Sequence, residues 1–276
     1  MIEGSGYLKR VFIGFSFMLI LSFALSEHIH AKGFGKDITV KVMSYNIHHA
    51  VGLDNELSLP SIANVIKETN ADIIAIQEVD RYFGERSQFV DQARELAKLV
   101  GYHYTFGANL NLKPAPGQVE NRQYGTAILS KYPIIDSKNI HLSSDGEQRG
   151  LLIGKVNVRG VHLTVFNTHL SLSHVERMGQ VEEIIEISSY YNEPTVLMGD
   201  LNAEPKSKEL ERLQTGLNVV DTFKDVVEAN TYPVLHPTKR IDYILTSSDV
   251  TYKNSNVHYS ESSDHLPIVV DITLKR

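Results

Sequence analysis

Cysteine is absent from the 276 residues, and so is tryptophan. Without cysteine there can be no disulfide, no thiolate metal site, no iron–sulfur cluster and no cysteine nucleophile. Excess positive charge is missing too, with 27 Lys and Arg against 33 Asp and Glu and a net charge of −6. A chain with that balance lacks the global attraction for polyanions of a basic nucleic-acid binder, which weakens a nucleic-acid substrate without excluding it. There is no low-complexity segment, no internal repeat and no Pro/Gly/Ser linker dividing the chain. The 42% apolar and 22% charged residues are an ordinary globular mix that can fill a sizeable core, so global disorder and collagen are excluded. Three catalytic signatures are missing as well: the G-x-S-x-G serine elbow, the H-E-x-x-H zinc helix and the G-x-x-x-x-G-K-[ST] phosphate loop.

What is present begins with a targeting pattern. Lys9 and Arg10 precede an apolar run from Val11 to Leu25, at the upper end of a signal-peptide core and short for a membrane span. Ala24 and Ser26 supply the small residues of a cleavage site, and Ala31 offers a second. Residues 1–31 are therefore read as a signal peptide or membrane anchor, with the protein secreted or held at the outer face of the cytoplasmic membrane. Residues 38–276 are read as one domain.

Along that domain strands and helices alternate at first. Ile38–Ile47 is an alternating, β-rich strand and Asp72–Gln77 a short buried one. Ser58–Thr69, with Pro60 in its first turn, and Phe89–Val100 have helical spacing. Tyr102–Phe106, Gly125–Leu129, Ile134–Leu142, Leu151–Val158 and Val161–Thr168 are strand-like, and Arg159-Gly160 marks a tight hairpin. Ser173 and Glu176 form a capping-box pattern ahead of a helix with an apolar stripe of Val175, Met178, Val181, Ile184 and Ile185, and Pro194 stops it. Thr195–Met198, Ile241–Leu245, Val250–His258 and Pro267–Thr273 are the remaining strands. Early βα alternation followed by hairpins predicts a mixed-sheet α/β sandwich.

Polar residues cluster where apolar strand runs finish, at Asn46, Gln77-Glu78, Asn167 to His169 and Asp200 with Asn202, while Asp242 sits in RIDYIL and Asp264-His265 stand just before the final strand. Ligands of α/β folds bind beyond strand ends. Any one of these residues reads equally as a turn former or helix cap, but six such places carrying only Asn, Asp, Gln, Glu or His point to shared chemistry. Carboxylates and an amide oxygen suit a hard divalent cation such as Mg²⁺, and the histidines supply proton transfer. Metal-assisted attack of water on a phosphate ester is the natural candidate.

Seven motifs in order, MSYNIHH, IQEVD, YGTAILSKYP, FNTHLS, GDLNAEP, RIDYIL and SDHLPI, resemble the endonuclease/exonuclease/phosphatase superfamily of deoxyribonuclease-I-like hydrolases. They span residues 43 to 268, nearly the whole domain. The resemblance implies a four-layer α/β/β/α sandwich with two central mixed β-sheets, a divalent metal (Mg²⁺, with Mn²⁺ as the alternative) and phosphate-ester hydrolysis. It implies that Glu78 is the main metal ligand, with Asn46 beside it and Asp264 near the metal. His265 resembles the histidine that activates water or contacts the scissile phosphate, and Asp242 the carboxylate that orients it. Asp200 and Asn202 resemble the pair that positions the water and holds a phosphoryl oxygen, and His169 the second active-site histidine.

Tyr124 and Arg149 are candidate substrate contacts, against readings as a strand aromatic and a solvated charge. Arg81 and Arg86 are weighed in the same way. His48 and His49 follow Asn46, but adjacent residues point in different directions, so neither is given a metal role. Gly199 reads as a close backbone approach beside Asp200. The superfamily resemblance does not choose a substrate. The acidic balance, the missing tryptophan and the export pattern favour a small or lipid-linked phosphodiester (a lipid head group or cell-wall polymer) over DNA or RNA cleaved by a secreted nuclease. The third reading, a catalytically silent binding module, expects a depleted site, whereas the full set is present. The chain is expected to be a monomer that associates with the membrane only through its N-terminus.

Overall fold

The computed structural model describes residues 35–276; the expected targeting segment, 1–31, lies outside the described residues. Twelve strands form two six-stranded sheets. The first contains β1 (Ile38–Asn46), β2 (Ile73–Arg81), β3 (His103–Leu112), β4 (Arg122–Ser130), β11 (Thr251–Val257) and β12 (Ile268–Leu274), in the order β11-β12-β1-β2-β4-β3. The second contains β5 (Ile134–Leu142), β6 (Arg149–Val158), β7 (Val161–His169), β8 (Thr195–Asp200), β9 (Val219–Asp221) and β10 (Asp242–Ser247), in the order β5-β6-β7-β8-β10-β9. Each sheet is mixed: β1 and β2 run parallel in one and β7 and β8 in the other, and the remaining pairs are antiparallel.

Both parallel pairs need a crossover, and helices supply it. Helix α1 (Leu59–Thr69) joins β1 to β2; Ser58 caps it by accepting the Ser61 N–H, and Asn70 closes it in the left-handed region. Helix α2 (Gln92–Val100) is capped by Asp91 and ended by Gly101. Helix α3 (His174–Ser188) joins β7 to β8. Apolar residues from α1 and α2 cover the outer face of the first sheet around Met43, Tyr45, Ile74 and Ile76. Those of α3 and of α4 (Lys208–Leu217) cover the second sheet around Phe166, Leu197 and Tyr243. Between the sheets lies a third core that includes Val40, Val42, Ile73, Leu163, Val165, Val196, Met198 and Ile244. The layers are therefore α/β/β/α, as the resemblance implies.

The α3 start departs from the capping-box reading. Ser173 makes no side-chain cap bond; its own N–H donates to Ser171 Oγ at 3.1 Å. Val175 is 80% exposed, so the buried stripe narrows to Gln180, Val181 and Ile184. Helix α4 and strand β9 match nothing in the periodicity reading. The signal for α4 was there: Ser207 accepts the Leu210 N–H as an N-cap, and Leu210 and Leu213 are buried three residues apart. Arg159 and Gly160 both have positive φ, as the hairpin reading requires. Among the described residues no helix is long and apolar enough to cross a membrane.

Candidate active site

Strand alternation builds the site. In β1, Ile38, Val40 and Val42 point between the sheets, so Ser44 and Asn46, two and four residues further on, face the same way. In β7 the same face runs Leu163, Val165, Asn167, His169; in β8 it runs Val196, Met198, Asp200; in β10 it holds Ile244 and Asp242. The layer between the sheets is thus apolar over most of its length and polar at one end. Both parallel pairs finish at that end, and the antiparallel neighbours β4, β6, β10 and β12 begin there. Register then sets Asp200 beside His169 on one side and Asp242 on the other.

Gln77 and Asn167 occupy this face but not the cavity. Gln77 Nε2 donates to Asn167 Oδ1 at 2.8 Å, and Asn167 Nδ2 donates to the carbonyls of Ile76 and Ala127. Both are fully buried and staple one sheet to the other. Glu78 reaches the cavity only because β2 bulges. Strict alternation would send it out with Ile74 and Ile76, under the helices. The register shifts between Ile76 and Val79, and Glu78 takes φ 57°, which turns its carboxylate inward. Gly199, at φ 154°, permits the β7–β8 approach, since a Cβ there would lie 2.0 Å from the Thr168 carbonyl oxygen.

The resulting cavity has a volume of about 1080 Å³, and Glu78, Tyr124, Arg149, His169, Asp200, Asn202, Asp264 and His265 all line it. Asn46 and Asp242 stand directly behind these groups. Asn46 Nδ2 donates to Glu78 Oε1 at 3.0 Å and to Asp200 Oδ2 at 3.2 Å, spanning the two sheets. His265 Nδ1 lies 2.9 Å from Asp242 Oδ2, which also accepts from Thr231 Oγ1 at 2.5 Å. The Nε2 atoms of His265 and His169 stand 3.7 and 3.5 Å from Asp200 Oδ2. The Asn202 N–H donates to Asp200 Oδ1 at 2.9 Å. The loop carrying Asp264 and His265 is pinned to the end of β1 by Ser263 Oγ, which donates to the Asn46 carbonyl at 2.8 Å.

The two histidines are held in opposite states. Burial alone would favour a neutral His265 ring, but the charge and hydrogen bond of Asp242, with Asp200 and Asp264 behind, push its pKa up to about 10. Burial and the Arg149 charge lower His169 to about 3, against the pull of Glu78. Burial and the neighbouring Asp242 charge raise the Asp200 carboxyl. Burial would also raise Glu78, but the His49 ring, the His169 charge and the Asn46 amide hold it well below the usual carboxylate range.

Arg149 is buried and pairs with Glu147 at 3.0 Å, and its Nε has no partner. Arg86 lines the cavity, stacks over Phe83 and forks onto Asp80 at 2.8 and 2.9 Å. Arg81 turns away to Asp91 at 3.1 Å and is not part of the lining. Sequence reasoning missed Arg177, Lys206, Lys208 and Lys239, which also line the cavity. It also set aside His48 and His49, both of which line the cavity with Glu78. Among the described residues, three ligand-type side chains gather within 4.8 Å in two places, His48/His49/Glu78 and Asp200/Asp242/His265, and Asp264 belongs to neither. A carboxylate flanked by an amide and imidazoles, with a buried His49 Nδ1 that makes no hydrogen bond, fits a divalent cation.

A model of the Endonuclease/Exonuclease/phosphatase family matches residues 43–265. The uncharacterized protein YbhP of Escherichia coli K12 is 26% identical over 255 residues, covering 87% of this chain and 98% of YbhP. The 5'-tyrosyl-DNA phosphodiesterase of Caenorhabditis elegans is 29% identical over 198 residues, 66% of this chain and 47% of that protein. The crystal structure of an endonuclease/exonuclease/phosphatase from Beutenbergia cavernae superposes with a TM-score of 0.75 at 26% identity, covering 86% of this chain and 72% of that one.

Proposed function

This chain belongs to the endonuclease/exonuclease/phosphatase family, and on that premise we propose that it hydrolyses a phosphodiester, small or lipid-linked, by metal-assisted attack of water outside the cytoplasmic membrane. The observation that carries the reading is the convergence of Glu78, His169, Asp200 and His265 on one cavity at the end of the inter-sheet layer, with Asp242 directly behind His265.

In this proposal Glu78, supported by Asn46, would hold the cation, with Asp264 as a further carboxylate on the same cavity. When bound, the cation supplies positive charge against the phosphoryl oxygens. Asp242 fixes the His265 ring through Nδ1 and keeps it protonated, so Nε2–H is a donor aimed at a phosphoryl oxygen. Asp200, placed between the two Nε2 atoms and raised toward neutrality, takes the water proton. The leaving oxygen receives the proton that Asp200 took from water, hydrogen-bonded by the neutral His169 ring, whose Nε2 is 3.5 Å from Asp200 Oδ2. Arg149 and Tyr124 contact the non-bridging oxygens or the ester group beyond them.

The cavity volume suits a head-group-sized ligand, and the net charge of −6 does not favour a long polyanion. A nuclease reading draws on the relationship to the tyrosyl-DNA phosphodiesterase. A panel of plasmid DNA, RNA, sphingomyelin, phosphatidylinositol and inositol phosphates, each assayed with Mg²⁺ or Mn²⁺, separates the two. Turnover of DNA or RNA above that of every small or lipid-linked ester rejects the first reading.

A further inference from the structure

Immediately after Asn46 the chain does something unusual. His48, His49 and Ala50 have φ values of 45°, 42° and 63°, three consecutive non-glycine residues in the left-handed region. Two adjacent side chains that a regular strand would send to opposite faces are thereby both delivered to the cavity that holds Glu78. The conformation is locked from several sides. The Ala50 N–H donates to the Ile47 carbonyl at 2.7 Å and the Val51 N–H to the His48 carbonyl at 3.0 Å. The fully buried Gln92 donates from Nε2 to the His49 carbonyl at 2.7 Å and accepts the Asp80 N–H at 2.9 Å, which ties the turn to the bulged strand carrying Glu78. The His48 N–H donates to Asn46 Oδ1 at 3.1 Å.

The ring atoms are set as ligands are set. His48 Nδ1 faces the Val51 carbonyl at 3.3 Å. A proton donated there leaves Nε2 with its lone pair, the arrangement in which metal-binding histidines are held by a backbone acceptor. His49 Nδ1 is buried without a hydrogen-bond partner, 3.9 Å from Glu78 Oε2. One nitrogen from each ring and one Glu78 oxygen lie within 4.8 Å of one another. Three ligand atoms each about 2.1 Å from one ion stand about 3.0–3.6 Å apart, so side-chain rotations that draw the atoms together by up to about 1–2 Å close the set.

We propose that His48 and His49 join Glu78 as metal ligands, giving a mixed imidazole–carboxylate site that holds Mn²⁺ in preference to Mg²⁺. The inference rests on the proposed function only in taking Glu78 as a metal ligand. The physical reason for the preference is ligand type. Mg²⁺ takes oxygen ligands and gives up its waters reluctantly; Mn²⁺ shares its carboxylate ligands but, as a first-row transition ion, gains more than Mg²⁺ from an added imidazole nitrogen. A site of carboxylate oxygens alone has no such basis for excluding Mg²⁺.

The test uses the metal-free protein without substrate. Mn²⁺ and Mg²⁺ affinities are measured by isothermal titration calorimetry for wild type, His48→Ala, His49→Ala and Glu78→Gln, with thermal melts to check folding. Each histidine variant is expected to lose at least roughly tenfold in Mn²⁺ affinity while Mg²⁺ affinity moves by less than about threefold. Pulsed electron paramagnetic resonance on Mn²⁺-loaded wild type is expected to show ¹⁴N coupling that weakens in His49→Ala, and the wild-type spectrum stands even if a variant fails to fold. Mn²⁺ binding without ¹⁴N coupling, or Mn²⁺ and Mg²⁺ affinities that fall together, overturns the proposal. Hydrolysis of bis-p-nitrophenyl phosphate is measured separately. Histidine-dependent Mn²⁺ binding without turnover upholds this site and sinks the hydrolase reading. Turnover with histidine-independent metal binding does the reverse.

Discussion

Replacing Asp242 by asparagine removes a buried charge whose partner is already known from the geometry. Asp242 Oδ2 accepts from His265 Nδ1 at 2.9 Å and from Thr231 Oγ1 at 2.5 Å, and Asp242 and His265 are 1% and 5% exposed. The elevation of His265 from 6.5 to about 10 corresponds, at roughly 1.36 kcal/mol per pH unit, to about 5 kcal/mol favouring the protonated ring. Asp242 is the largest cause acting against burial, helped by Asp200 and Asp264, and breaking such a buried pair costs about 3–5 kcal/mol. Because the folded pKa lies above the unfolded one, the stabilisation is complete below about pH 6.5 and is lost as pH rises through about 10. Asp242→Asn should therefore be most destabilised near pH 6, and its deficit should vanish toward pH 10. Its ring should titrate near neutrality in a histidine NMR titration of the metal-free protein. Turnover should fall by about 10²–10⁴, as should that of His265→Ala, because both remove the same charged donor. In a double-mutant cycle the combined loss should be little greater than either alone. Losses that multiply, or a destabilisation that grows with pH, would show that the two residues do not act as one unit.

Glu78→Gln keeps the side chain's shape and removes one charged oxygen, so activity should drop most at limiting metal and recover in part at high metal; unchanged metal dependence in a titration of rate against Mg²⁺ or Mn²⁺ rejects the ligand role. Gly199→Ala would set a Cβ 2.0 Å from the Thr168 carbonyl oxygen and pull His169 and Asp200 out of register; a loss of roughly 3 kcal/mol or more is expected in denaturant melts, and a wild-type melting curve contradicts the packing argument. The mature protein should begin at Glu27 or Lys32, and mass spectrometry of exported material that finds Met1 intact rules out cleavage.

Much of this arrangement is legible in the sequence because period-2 alternation carries information to the ends of strands. The runs VKVMSYN and TVLMGD place Asn46 and Asp200 on the same face as their apolar predecessors without any knowledge of tertiary contacts. The same rule fails where the backbone departs from it. Glu78 needs a bulge and His48–Ala50 a left-handed turn, and single-residue spacing cannot announce either, so the two histidines were set aside on a strand argument that the chain does not obey. Gln77 and Asn167 show the converse error. They sit among functional neighbours in sequence, yet they are buried as a bond between sheets. The basic lining residues Arg177, Lys206, Lys208 and Lys239 come from separate elements after β7 that only the fold brings together. Helix α4 went unread although its cap and leucines are ordinary signals, because its remaining residues are polar and its hydrophobic face is narrow.

The most direct test of the central claim is the initial rate of bis-p-nitrophenyl phosphate hydrolysis by residues 32–276, measured with Mn²⁺ or Mg²⁺, with EDTA, and with His169→Ala and His265→Ala alongside. The account predicts metal-dependent release of p-nitrophenol that EDTA abolishes and that either histidine variant lowers by at least about 100-fold without loss of fold. Turnover that survives EDTA, or that is unchanged in both folded variants, contradicts the assignment of this cavity as the site of phosphodiester hydrolysis.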